Sequence, residues 1–249
     1  MTADAYTFTD ADSALLYDIE NPWDTDGSTW EGYILQCATL LDAVLDVGCG
    51  TGSMLHLARE HGAAGRLVGV DPDEAMLERA RRRTDIEWSL ASAAEMAYEA
   101  EFDLATMNSN AFQCFVTDEE LRASLAAIRR ALKDDRVFLF GTRHLQARAW
   151  ESWNSGNGGI VTLPDGRRFR SWFEVEKVDG PLVTFTETMA LMDGTPVRVA
   201  GTTLRFHTPE TLNPFLVEAG FRVESQYGDQ KTGPLTPDSR EIITVARAQ

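Results

Sequence analysis

Val44-Leu45-Asp46-Val47-Gly48-Cys49-Gly50-Thr51-Gly52 is the stretch from which the rest of the chain is read. Its first four residues form a short apolar run carrying one acid, the pattern of a strand buried in a parallel sheet. Alternate glycines follow, and then Met54, Leu55, Leu57 and Ala58 supply the apolar face of a helix predicted over 51–60. His61-Gly62 closes that helix, because glycine is favoured just past a helix end. A strand that turns tightly into a helix aims the backbone amides of the turn at the crevice outside the strand's carboxyl end, where open α/β sheets bind ligands. Glycine at 48 and 50 lets a ligand approach the backbone where a Cβ would clash.

Working downstream, strand and helix signals alternate. Strands are predicted at Leu67–Asp71, Ile86–Trp88, Phe102–Met107 and Arg136–Gly141. Asp73-Glu74 opens one helix, with acids against the positive end of its dipole. Another runs from Asp118 to Leu132, capped near Thr117 or Asp118, with Leu121, Leu125, Ile128 and Leu132 on one face. Such alternation implies a parallel sheet covered by helices on both faces. Ser155-Gly156-Asn157-Gly158-Gly159 then reads as a flexible loop. Phe169–Val178, Leu182–Met192 and Val197–Phe206 follow as an antiparallel meander, with turns at Asp179-Gly180-Pro181 and Asp193-Gly194. Thr208 caps a helix with Pro209 at its first position, ending at Gly220; Phe221–Tyr227 and Glu241–Val245 close the sheet. Upstream, Asn21-Pro22 breaks an aromatic-rich segment into two short helices. The expected fold is a doubly wound, mostly parallel, seven-stranded α/β sheet with an inserted antiparallel β meander. The expected division is a helical cap over 1–42, a core over 43–154 and 207–249, and an insertion over 155–206.

The 249 residues are 43% hydrophobic and 25% charged, an ordinary globular composition. A formal charge of −16 disfavours nucleic-acid partners, which require clustered Lys and Arg. The dense runs are Arg79 with Arg81-Arg82-Arg83 and Arg167-Arg168 with Arg170; the first lies on a helix flanked by Asp73, Glu74 and Glu78 and reads as a solvated helical face. Cys37, Cys49 and Cys114 are an odd set without CxxC spacing, arguing against a disulfide framework and a zinc site; no metal is expected. The start, Met1-Thr2-Ala3-Asp4-Ala5-Tyr6, lacks a basic region and a following apolar stretch, and no apolar run approaches the roughly 20 residues of a membrane span. A cytoplasmic location is expected.

The segment 44–52 resembles the first motif of the class I S-adenosylmethionine-dependent methyltransferases, a strand and acid followed by GxGxG. Asp71 stands where that family holds the two ribose hydroxyls, and Pro72 and Met76 where it places residues near adenosine. Phe102-Asp103-Leu104 with Met107-Asn108-Ser109-Asn110 is similar to the fourth motif, lining the methionine part of the cofactor. The likeness spans roughly 43–141 and 208–247 and implies the Rossmann-like methyltransferase fold. Ala91-Ser92-Ala93 replaces the family's frequent Gly-Asp-Ala, leaving Ser92 and the Ala93 amide as adenine contacts without charge. The resemblance thus implies S-adenosylmethionine bound by Tyr17, Asp46, Gly48, Cys49, Gly50, Asp71, Pro72, Met76, Ser92, Ala93, Met107 and Asn108. Cys49 reads as a small turn residue rather than a nucleophile. Tyr17 reads equally as core packing or as a ring over the cofactor.

The implied reaction is in-line methyl transfer to a small-molecule acceptor, with alignment and water exclusion as the protein's main tasks. Of the four histidines, His61 reads as a helix-end residue and His56 as exposed; His144 alone follows the fifth strand at the ligand-binding edge and is the candidate base. Trp23, Phe112 and Arg143, with Trp150 and Trp153, are candidate walls of an acceptor pocket, with the meander as its lid. The aromatic meander could also serve as a homodimer surface. One rival is a nicotinamide-dependent oxidoreductase, but Gly52 falls one residue early for G-x-G-x-x-G and Ser occupies position 53. The other is a non-catalytic cofactor-binding partner protein.

Overall fold

The computed structural model describes residues 8–249; Met1–Tyr6, on which the reading of the N-terminus rests, lie outside the described residues. In chain order the first half contains α1 (Asp10–Glu20), α2 (Trp30–Leu40), β1 (Ala43–Val47), α3 (Ser53–Glu60), β2 (Arg66–Asp71), α4 (Glu74–Ala80), β3 (Glu87–Leu90) and β4 (Phe102–Met107). The second half contains α5 (Asp118–Ala131), β5 (Leu132–Arg143), β6 (Gly159–Thr162), β7 (Arg168–Asp179), β8 (Leu182–Leu191), β9 (Pro196–Arg205), α6 (Pro209–Glu218), β10 (Phe221–Tyr227) and β11 (Glu241–Ala248).

Seven strands form the main sheet in the order β10-β11-β5-β4-β1-β2-β3. Strands β1 to β5 are parallel, while β11 runs antiparallel to β5 and β10 antiparallel to β11. The chain winds outward from β1 to β3 and then returns to β4 on the other side of β1. The crevice between the carboxyl ends of β1 and β4 is therefore the switch point at which such sheets take ligands.

Side chains alternate across β1. Leu45 and Val47 pack with Phe138, Phe140 and the inner faces of α5 and α6. Val44 packs on the other face, against Ile34 and Ala38 of α2 and Met54 and Leu55 of α3. Helix α2 is thus a full member of the helical layer over the sheet, whereas α1 lies against α4 and β6.

The anticipated meander is a separate sheet in the order β6-β7-β8-β9. Its first strand, Gly159–Thr162, was not anticipated, and only Gly159 lay in the expected loop; it pairs with Arg168–Ser171, where Val161 is buried with Phe169 and Leu16 of α1. The fifth strand also starts earlier than its apolar run. Lys133 and Arg136 reach Asp103 at 3.0 and 3.2 Å, which neutralises the charged start of β5. The third correction is at α3, which begins at Ser53 because Gly52 has φ +78° and acts as the cap.

Candidate functional site

The glycine turn is fixed by backbone bonds to β2. Gly48 and Cys49 amides both donate to the Val70 carbonyl, at 2.8 and 3.1 Å. The Gly50 amide donates to Asp71 Oδ2 at 2.7 Å, and Asp71 Oδ1 accepts from the Asp73 amide at 2.9 Å. Beside the turn, Asp46 Oδ1 accepts from Thr106 Oγ1 at 2.7 Å and from Asn108 Nδ2 at 3.1 Å. Burial raises the Asp46 pKa to about 7 against the pull of those two donors, and the Asp71 charge adds to the rise. Burial likewise raises Asp71. Two desolvated carboxylates at one crevice favour a cationic ligand, which would restore their ionised forms.

The Asp46 shift has a measurable sign. From 3.8 to about 7 the folded chain holds a proton that the unfolded chain releases. The associated stability is full below the lower value and is lost as pH rises through the upper one. Asp46→Asn should therefore gain on the native protein across that window, by about 2–4 kcal/mol at the plateau. Urea midpoints at several pH values check this; a difference that stays flat with pH would refute it.

Helix α1 lies across the crevice. Asp18 accepts hydrogen bonds from Thr51 Oγ1, from Ser53 Oγ at 3.3 Å and from the Arg79 guanidinium. The ring of Tyr17 lies 3.9 Å from where a Cβ on Gly50 would sit. Three spaces surround this helix end. One of about 470 Å³ is bounded by Tyr17, Asp73, Met76, Glu187, Met189 and Arg198. One of about 30 Å³ sits among Tyr17, Asp46, Gly48, Cys49 and Asn108. The third, about 260 Å³, opens at the ends of β4 and β5 between Trp23, Asn108, Gly141, Arg143 and Glu241.

The structure gathers Tyr17, Asp46, Gly48, Cys49 and Asn108 around one compartment, with Gly50 and Asp71 joined at its edge. Met76 faces the larger space, and Trp23 and Arg143 the third. Pro72 is exposed beside Asp71. Met107 is buried in the core, its Cε 3.6 Å from where a Cβ on Gly48 would sit. Ser92 turns its hydroxyl to Glu95 Oε2 at 2.7 Å, capping the short turn in which Ala93 is buried. The Cys49 thiol is buried and its pKa raised, as suits a turn residue.

Other placements correct the sequence reading. Phe112 is a core residue, fully buried and stacked on Phe140 at 4.4 Å. Trp150 packs on Phe206, and Trp153 on Phe185. His144 Nδ1 is hydrogen-bonded to the Ser239 carbonyl at 3.0 Å, and the residue borders a separate recess with Gln146, Pro209 and Thr236. His56 is not exposed: it is partly covered by Trp88 and bonded to the Ala80 carbonyl. Sequence reasoning missed Asp18 and Glu241. Nothing local marks either; Asp18 matters through contacts with the glycine turn and α4, and Glu241 through its register opposite Arg143.

The cradle suits S-adenosylmethionine: an acid at the end of β2, a turn where side chains would intrude, and a second acid at β1. A family model described as a methyltransferase domain matches residues 44–135. The chain is 30% identical over 221 residues, 83% of each chain, to a cypemycin N-terminal methyltransferase from Streptomyces sp.. An S-adenosylmethionine-dependent methyltransferase from Clostridium acetobutylicum shares the fold with TM-score 0.74 and 17% identity, covering 95% of this chain and 97% of that one. So does CalS10, an amino pentose methyltransferase from Micromonospora echinaspora solved with S-adenosylmethionine bound, with TM-score 0.70, 21% identity and coverage of 98% and 99%. Neither the oxidoreductase nor the non-catalytic alternative finds support among these relatives. The chain belongs to the class I S-adenosylmethionine-dependent methyltransferases.

Proposed function

We propose that the chain methylates a small-molecule amine seated in the cavity of about 260 Å³ at the ends of β4 and β5. The observation that carries this reading is the cavity's position, reached from the glycine turn through Asn108 and Ser109, which line both compartments. When bound, S-adenosylmethionine supplies an electrophilic methyl group on a sulfonium. Trp23 and Trp30 wall the acceptor, and β6 to β9 with α1 cover the crevice as a lid. An ammonium must lose a proton before its nitrogen can attack. Glu20 and Glu31 border the cavity with pKa values raised by burial, which suits them to take that proton. The name of one relative, an N-terminal methyltransferase, agrees with nitrogen as the accepting atom.

Three further readings accompany this one. A nucleic-acid acceptor is disfavoured because Arg79, Arg81 and Arg83 are engaged by Asp18, Glu74 and Asp85. Exposed Phe173, Val178 and Val199 on the small sheet support a homodimer. No helix among the described residues is long and apolar enough to cross a membrane, and the three free cysteines support a cytoplasmic location. Matched panels of small amines and alcohols, assayed with S-adenosylmethionine by mass spectrometry, test the acceptor. Methylated amines are expected; turnover of alcohols alone would overturn the assignment to nitrogen.

The same reading makes α1 a gate. The space over Gly48, about 30 Å³, has room for one water and not for a methionyl chain. The helix end from Tyr17 to Asn21 must therefore lift as the cofactor enters. Asp18→Ala removes the bonds to Thr51, Ser53 and Arg79 and should speed S-adenosylhomocysteine association about tenfold. Stopped-flow tryptophan fluorescence reads the rate; an unchanged rate would leave α1 with no gating role.

A further inference from the structure

The cavity at the ends of β4 and β5 contains a cation without an anion of its own. Arg143 is partly buried at its wall, with Nη1 donating to Gln113 Oε1 at 3.0 Å and the guanidinium over the Trp153 ring at 5.6 Å. Gln113 is fully buried and donates its own Nε2 to the Arg205 carbonyl at 3.3 Å, which fixes its oxygen toward Arg143. Among the described residues, every other arginine that is not exposed has a carboxylate within 3.3 Å. Among the same described residues, Arg143 has none within 4.0 Å. Its cross-strand neighbour Glu241 accepts instead from Gln230 Nε2 at 2.7 Å and reaches Arg143 only through space. Burial lowers the Arg143 pKa, with Glu241 and Tyr17 acting the other way.

A desolvated guanidinium is destabilising unless a charge and hydrogen bonds answer it. Its planar fork has five N–H donors and matches carboxylate and phosphate oxygens two at a time. The buried indole N–H of Trp23, on the wall of the same cavity, has no hydrogen-bond partner among the described residues. A chain of charge −16 repels anions at long range, so an anionic group can be held only where a local cation awaits it.

We propose that the acceptor carries an oxyanion, a carboxylate or a phosphate, which Arg143 binds in the cavity beside Asn108, leaving its amine free to face the glycine turn. Arg143 is then a specificity-determining residue for acidic amines. This rests on the proposed transfer to a small-molecule amine.

The test titrates acetate and inorganic phosphate, separately, into protein saturated with S-adenosylhomocysteine, by calorimetry at constant ionic strength. Saturable binding of one anion is expected, at least tenfold weaker in Arg143→Gln and partly restored in Arg143→Lys, with S-adenosylhomocysteine affinity equal in all three proteins. Tighter binding of acetate assigns a carboxylate, and tighter binding of phosphate a phosphoryl group. Absence of anion binding, or equal binding in Arg143→Gln, overturns the inference while the cofactor result leaves methyl transfer standing. Failure of the native protein to bind S-adenosylhomocysteine overturns both.

Discussion

Asp71→Ala is expected to lower S-adenosylhomocysteine affinity by roughly 100-fold or more. The carboxylate sits at the end of β2 and is held by the Gly50 and Asp73 amides. Each oxygen keeps a lone pair, and the family resemblance directs these at the two ribose hydroxyls. A hydrogen bond to a charged group contributes about 1.5–3 kcal/mol, so losing two removes at least two powers of ten. Asp71→Asn keeps one acceptor oxygen and should fall between the native protein and alanine. Calorimetric titration of the three proteins checks the order. An alanine variant that binds as tightly as the native protein would remove Asp71 from the cofactor site.

Gly52→Ala is expected to destabilise the fold by about 2–5 kcal/mol. Gly52 caps α3 at φ +78°, where an L side chain carries about 1–3 kcal/mol of strain. A Cβ there would lie 2.4 Å from the Trp88 ring and 3.2 Å from Ala80 Cβ. Trp88 cannot yield freely, because its Nε1 donates to the Arg83 carbonyl at 3.0 Å and its ring also covers Gly69. Overpacking of this kind adds about 1–3 kcal/mol. Urea denaturation gives the value. A loss below about 1 kcal/mol would show that α3 and Trp88 move apart at little cost.

The core of the fold was legible because its signals are local. The run 44–52 dictates a strand, a turn and a helix within its own length, and the later apolar runs repeat the alternation. What escaped depends on partners distant in sequence. Gly159–Thr162 is too short to declare a strand until Arg168–Ser171 pairs with it, and Leu132–Asp135 looks too charged for a strand until Asp103 answers Lys133. The candidate site divides in the same way. Asp46, Gly48, Asp71 and Asn108 follow from strand ends, which sequence locates well. Phe112 and His144 also lie near strand ends, but direction decides their roles. Phe112 points into the core, and His144 turns to the Ser239 carbonyl. Periodicity in loops and short turns does not encode such directions.

Helix α1 contributes Tyr17 to the walls of the two spaces flanking the glycine turn and Glu20 to the cavity at the ends of β4 and β5. Once its end has lifted to admit the cofactor, lowering that helix again is one event with one free-energy cost, and both guests need it lowered. The guest that draws it down meets that cost, and the other finds the wall already standing. Cooperativity between them then requires no contact between the two molecules, and linkage makes it symmetrical: the factor by which one tightens the other is returned unchanged. A partial load of either guest would thus prime the enzyme for its complement.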